Sequence, residues 1–291
     1  MATRVGHAVN MSVAGEHDIA VPGGRLHAWV SGTGPPLLLL HGGPGLSDYT
    51  FTLENELQEG YQVVRFQQRG LAPSTLGGPF DVEQHMADAI AILDALCIDR
   101  VCVVGSSWGG HLAMHLVVHF PERFSGLVPV DPLGAVDDGG EADLGRILSE
   151  RISPEAAARA EEIDQRAMAG EGTSELAVEG LKLVWPAYFA VPVSAPPMPP
   201  MDLSLECYSQ TWDSIHDHLA RRTLARRLPS VQIPAVFVLG EKSPIPPSHG
   251  EATAALVPGA LCQIENGCGH FLWMERPGAV RRAVDTVHTG A

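Results

Sequence analysis

The chain has 291 residues, enough for one large α/β domain with an inserted subdomain or for two small domains, each able to bury a core. Apolar residues make up 45% and charged residues 18%, which excludes a largely disordered chain and a charge-rich coiled coil. With 19 Lys and Arg against 34 Asp and Glu, the formal net charge of -15 repels phosphate backbones and anionic lipid surfaces, so nucleic acid is excluded as an expected partner.

In chain order, Met1 to Ala20 carries His, Glu and Asp and lacks an apolar stretch followed by a small-residue cleavage site, so no export signal is read and a cytoplasmic location is expected. Ile19 to Val21 and Leu26 to Val30, joined by Pro22-Gly23-Gly24, read as a hairpin. Leu37 to Leu40 is a short continuous apolar run ending at a Gly-rich loop, the pattern of a central strand buried on both faces; Val63 to Phe66 and Val101 to Val104 repeat it. Between the last two, Val82 to Leu96 places Met86, Ile90, Leu93 and Leu96 on one stripe of an amphipathic helix. Gly126 to Val130, Ala235 to Leu239 and Leu261 to Glu265 supply further strands. Strands alternating with helices predict an α/β fold with a mainly parallel sheet covered on both faces.

The alternation breaks between Leu133 and Leu228, where helical patterns surround a Pro-rich stretch, Pro192 to Pro200. Residues 133–228 are therefore expected to be a helical insertion, with 1–132 and 229–291 as the two parts of one core. Within it, Ser153-Pro154-Glu155 is a helix start, with Ser as N-cap and Pro in the first turn. Arg221, Arg222, Arg226 and Arg227 read as a solvated helix face. Five cysteines without a CxxC pair fit a reducing compartment, and no apolar run approaches the length of a membrane span.

The strongest chemical signal is Gly105-Ser106-Ser107-Trp108-Gly109, a G-x-S-x-G between a predicted strand and a predicted helix. A nucleophile on such a tight turn needs small residues two before and two after it, and only Ser107 has Gly at both; Ser106 is flanked there by Val104 and Trp108. His41-Gly42-Gly43-Pro44-Gly45 follows the strand Leu37 to Leu40, and its glycines let backbone approach a substrate. The oxyanion hole is assigned to the N–H groups of Gly43 and Trp108, since a tetrahedral intermediate needs two donors converging on one oxygen.

HGGPG, the GSSWGG elbow and GCGHFLWMERP together resemble the α/β-hydrolase superfamily, particularly its proline-iminopeptidase-like branch. The resemblance implies an eight-stranded sheet with a helical cap after the sixth strand. Phe66 to Gly70 resembles that branch's DQRG segment, with Gln67 where Asp is usual. His270, just after the last predicted strand, matches the family's base and would take the Ser107 proton and return it to the leaving group. The family usually carries the third member three residues after the Gly ending the seventh strand, and that position is Ser243 here. Asp131 at the end of the sixth strand is favoured instead, with Glu241 the alternative.

His111, His115 and His119 lie at four-residue intervals, a spacing that can offer two imidazoles to a metal. No Glu lies between them as in HExxH, so they read as structural or solvent-facing and no metal is expected. No GxGxxG follows a strand and no GxxxxGK[ST] is present, so no nucleotide cofactor is expected. Gly42, Phe271 and Trp185 are expected at the substrate. The reading is a cofactor-free serine hydrolase that cleaves an ester, lactone or amide of a small molecule, ester or lactone being favoured over peptide. Two alternatives stay open on this scaffold: a lyase or cofactor-free C–C bond-cleaving enzyme, and a binding protein that has lost turnover.

Overall fold

The computed structural model describes residues 14–290; most of the N-terminal segment read for an export signal lies outside them. In chain order the elements are β1 (Gly15–Val21), β2 (Gly24–Ser31), β3 (Pro36–Leu40), α1 (Phe51–Leu57), β4 (Gln62–Phe66), α2 (Val82–Ala95), β5 (Val101–Ser106), α3 (Trp108–His119), β6 (Phe124–Val130), α4 (Glu141–Arg151), α5 (Pro154–Met168), α6 (Ser174–Val184), α7 (Leu205–Ala220), α8 (Thr223–Arg227), β7 (Val236–Gly240), α9 (Pro247–Ala254), β8 (Leu261–Glu265), α10 (Leu272–Glu275) and α11 (Ala279–Thr289). The strands form one sheet in the order β1-β2-β4-β3-β5-β6-β7-β8. The pairs β1/β2 and β2/β4 are antiparallel and the rest parallel.

The continuous apolar runs are explained by what lies on either side of them. Strand residues alternate faces, so Leu38, Leu40, Val64 and Val103 pack into one core and Leu37, Leu39, Val63 and Val104 into the other. Met86, Ile92 and Leu93 of α2 with Leu112 and Leu116 of α3 cover the first face. Leu53 and Leu57 of α1 with Val280 and Val284 of α11 cover the second. A strand buried on both sides has no polar face to show, which is why these segments lack alternation. At the edge, β8 leaves Leu261 and Ile264 exposed.

Local chemistry sets the helix ends. The Asp81 carboxylate accepts from Gln84 N at 2.7 Å to start α2, and Ser153 Oγ from Ala156 N at 3.2 Å to start α5. The arginine run is not one helix face, because Arg222 adopts φ 55 and divides α7 from α8. Helices α4 to α8 lie between β6 and β7, where the alternation breaks. No helix among the described residues is long and apolar enough to cross a membrane.

Candidate active site

Ser107 joins β5 to α3 with φ 56 and ψ -123. A non-Gly residue in that region costs roughly 1–3 kcal/mol, which the packing around the turn must hold in place. The flanking glycines are required by close approach. A Cβ on Gly105 would run into Gly109 O and stand 2.7 Å from Gly110 N, and one on Gly109 would strike Leu40 O and stand 2.6 Å from His41 O. Ser106 is fully buried, with Oγ 3.4 Å from the Tyr49 hydroxyl, whereas Ser107 opens into a cavity.

The loop after β3 is tied to the elbow through Gln68. Gln68 N donates to His41 Nε2 at 3.1 Å and Gln68 Nε2 to His41 O at 2.8 Å, while Trp108 Nε1 donates to Gln68 Oε1 at 2.9 Å. Because His41 Nε2 accepts, its proton sits on Nδ1 and is donated to Gly42 O at 2.8 Å. Burial lowers the His41 pKa, which keeps this neutral form. Gln67, in the place of the usual Asp, accepts from Asp48 N at 2.9 Å and donates to Leu46 O at 3.1 Å, holding the next stretch of loop. Gly43 and Trp108 line the cavity beside Ser107. Gly42, expected at the substrate, does not: its N–H donates to the Tyr49 hydroxyl at 3.0 Å, and a Cβ there would meet that hydroxyl and Ser107 Cβ. It is a packing position beneath the elbow.

His270 and Asp131 come together from residues far apart in sequence. β6 and β7 pair at Val130 and Val238, and Asp131, at φ 45, donates its N–H to Val238 O at 2.8 Å. Asp131 Oδ1 accepts from Gly240 N at 3.1 Å, and Oδ2 lies 2.5 Å from His270 Nδ1. Ser243 Oγ accepts from Ile245 N at 3.0 Å, which directs its own proton to Asp131 Oδ2, the same oxygen. So the position that usually carries the acid here supplies a donor to a carboxylate standing elsewhere. Glu241 points away: it is exposed, accepts from Gly267 N at 2.8 Å and pairs with Lys242 at 3.2 Å.

The loop bearing His270 is held by the segment after α6. His270 N donates to Tyr188 O at 2.8 Å, and the Glu275 carboxylate accepts from Ala190 N at 2.9 Å and Gly269 N at 2.6 Å. In the sequence Glu275 is marked only by its place in GCGHFLWMERP, and nothing marks a role for Tyr49 or the Ser243 hydroxyl. Gln68 had a visible signal in its place beside Gln67. A hydroxyl that bonds a residue 112 positions earlier had none.

Ser107, His270, Gly43, Trp108, Phe271 and Trp185 line a single cavity of about 1010 Å³. Trp185 is anchored by its indole N–H to Pro196 O at 2.7 Å and packs on the Phe271 ring at 4.7 Å. The three histidines of α3 lie apart from it. His111 and His115 are buried rather than solvent-facing, and neither ring nitrogen of His115 meets a hydrogen-bond partner among the described residues. Burial lowers the His111 pKa to about 4 and holds that of His115 well below the usual imidazole range. No group of three or more His, Cys, Asp or Glu among the described residues is arranged to hold a metal ion.

Comparison with known proteins bears on the same features. A family model described as alpha/beta hydrolase fold matches residues 35–277. YraK of Bacillus subtilis, named as a hydrolase, is 34% identical over 118 residues, 40% of this chain and 44% of YraK, so the match spans less than half of that relative. BpoC of Mycobacterium tuberculosis, whose name assigns it to the non-heme bromoperoxidases, is 28% identical over 271 residues, covering 87% of this chain and 94% of its own. A solved structure of a thermophilic esterase from Thermogutta terrifontis superposes with TM-score 0.63 at 25% identity, over 95% of this chain and 99% of the esterase. The eight-stranded sheet and the family match agree, and the chain belongs to the α/β-hydrolase fold family.

Proposed function

We propose that the chain is a serine hydrolase acting on an ester or lactone, with Ser107 as nucleophile, His270 as base and Asp131 as the orienting acid. The observation that carries this is the 2.5 Å contact between His270 Nδ1 and Asp131 Oδ2, with His270 and Ser107 on the wall of one cavity. With its proton on Nδ1 toward the carboxylate, the imidazole keeps a lone pair on Nε2, the atom that must take a proton.

Ser107 Oγ attacks the carbonyl carbon as His270 Nε2 takes the hydroxyl proton. The carbonyl oxygen becomes an oxyanion received by the Gly43 and Trp108 amides, at the N-terminus of α3. Collapse breaks the bond to the alkoxide, which leaves with the proton from His270; water, deprotonated by the same imidazole, then attacks the acyl carbon, the bond to Ser107 Oγ breaks, Oγ takes the proton back from His270, and the acid is released. Gly240 N and Ser243 Oγ both donate to the Asp131 carboxylate and hold it in place against His270. Helices α4 to α7 supply much of the cavity wall, which supports reading 133–228 as a cap over a core made of 1–132 and 229–291. The esterase neighbour supports hydrolysis of an ester.

Labelling with a fluorophosphonate, read by mass spectrometry, tests the assignment. Modification confined to Ser107 and lost in His270→Ala is expected. An accessible pocket that takes no label would overturn it and favour a non-hydrolytic lyase or a binding protein.

A further inference from the structure

The cavity is far larger than the catalytic centre requires. Pockets of roughly 300–1,000 Å³ hold drug-sized ligands, and at about 1010 Å³ this one is at the top of that range. Its walls are contributed by Leu144 and Leu148 of α4, Ile163 of α5, Leu176 and Leu181 of α6 and Ile215 of α7. The charged groups that line it are all acidic: Glu141, Glu161 and Asp164. No lysine or arginine lines it among the described residues. The nearby arginines of α5 are spent elsewhere, Arg159 on Glu179 and Glu162 and Arg166 on Glu171. His216 is bound to Glu141 at 2.7 Å. Burial raises the Asp164 pKa.

Resting on the hydrolase reading above, we infer that the substrate carries a bulky, apolar acyl or alcohol portion with no negative charge, seated between α4, α5, α6 and α7. An apolar chain gains by leaving water for these walls. A carboxylate on the same chain would give up part of its hydration against a wall whose charged groups, Glu141, Glu161 and Asp164, are exposed or partly exposed carboxylates, with no lysine or arginine among the described lining residues, so the site disfavours anionic esters as well as favouring large ones.

Gly145 of α4 offers a direct handle. It lines the cavity, and a Cβ built on it meets nothing within 4 Å, so a larger side chain there projects into the space the substrate would fill. Replacing Gly inside a helix also favours folding rather than opposing it.

The experiment measures kcat/KM of the full chain on p-nitrophenyl alkanoates and on n-alkyl acetates of two to twelve carbons, with p-nitrophenyl hydrogen suberate as the anionic counterpart of the octanoate. Each methylene fully withdrawn from water is worth about four-fold. With about half of the surface of the six added methylenes withdrawn, a rise on the order of 10²-fold from the shortest to the eight-carbon member is expected in at least one series. The suberate should fall on the order of 10²-fold below the octanoate. In Gly145→Phe the long-to-short ratio should fall by about ten-fold or more. Flat or falling profiles in both series, or a suberate as good as the octanoate, would overturn the substrate class while leaving the hydrolase reading intact. If nothing is turned over and no fluorophosphonate reacts, the hydrolase reading has failed. Calorimetric titration with 1-dodecanol and dodecanedioate then decides the cavity: preference for the alcohol upholds the inference, and equal or reversed binding overturns it.

Discussion

Two buried histidines, His270 and His115, show what burial does and does not decide. They are 3% and 0% exposed, so solvent treats them alike. His270 has a carboxylate 2.5 Å from Nδ1, itself held by Gly240 N and Ser243 Oγ. His115 faces the imidazoles of His111 and His218, with ring centroids 5.0 Å and 4.7 Å away, feels the positive charge of Arg227, and has no side-chain hydrogen-bond partner among the described residues. Desolvation alone pushes an imidazole toward the neutral form and gives it nothing to do with a proton. A carboxylate on one nitrogen fixes the tautomer and makes the other nitrogen a base. The chemistry therefore belongs to the partner, and the comparison can be broken by removing partners one at a time.

The largest effect is expected at Asp131. Asp131→Asn should lower kcat by on the order of 10⁴-fold on an activated ester with little change in KM, while Glu241→Gln stays within a few-fold. A reversal of those two results would move the acid to Glu241. Next comes Ser243, which bonds the oxygen that His270 uses. Ser243→Ala should cost about ten-fold or more in kcat, since one charge-assisted hydrogen bond is lost. In an Asp131→Asn background, Ser243→Asp should return part of the lost rate, because a carboxylate there starts from an atom already in contact with Asp131; no recovery would show that the usual acid position no longer reaches His270.

The histidines without carboxylate partners predict an acid-labile fold. Burial lowers the His111 pKa to about 4 and the His85 pKa to about 3, and holds His115 well below its usual range. The unfolded chain takes up protons on these rings near pH 6.5 while the folded chain does not, so stability falls as pH drops below 6.5 and continues to fall until the folded-state values are reached. Each ring contributes up to about 1.4 kcal/mol per pH unit in that window. Urea denaturation at several pH values between 7 and 5 reads the slope, and a flat profile would show that these rings are hydrated in solution. The smallest effect is at His115 itself. Replacing both unpartnered nitrogens by hydrocarbon in His115→Leu should raise Tm by about 2–4 °C and flatten the acid slope. A fall in Tm would mean that the ring has partners in solution.

How much of this was legible in advance depended on whether the cause was local. The strands could be read because a segment buried on both faces must be apolar throughout, as Leu37 to Leu40 and Val101 to Val104 are. The elbow could be read because its glycines answer clashes within a few residues, although the two clashes of Gly109, with Leu40 O and His41 O, come from the neighbouring strand. Gly42 is the opposite case. Its neighbours in sequence suggest a substrate loop, but its small size answers to Tyr49 and Ser107 beneath it. The short helix α1 carries no capping side chain and went unread.

By itself, the sequence determined the alternation of strands and helices, the break after β6, and Ser107 and His270 as chemically marked positions, because each rests on periodicity or on backbone conformation within a short window. Only the tertiary structure decided that Asp131 rather than Glu241 faces His270, that Ser243 donates to that carboxylate, and that the cavity walls carry carboxylates and, among the described residues, no lysine or arginine. Those facts depend on the register of β6 against β7 and on which helix faces turn inward. Such relations join residues more than a hundred positions apart, and no local pattern encodes them.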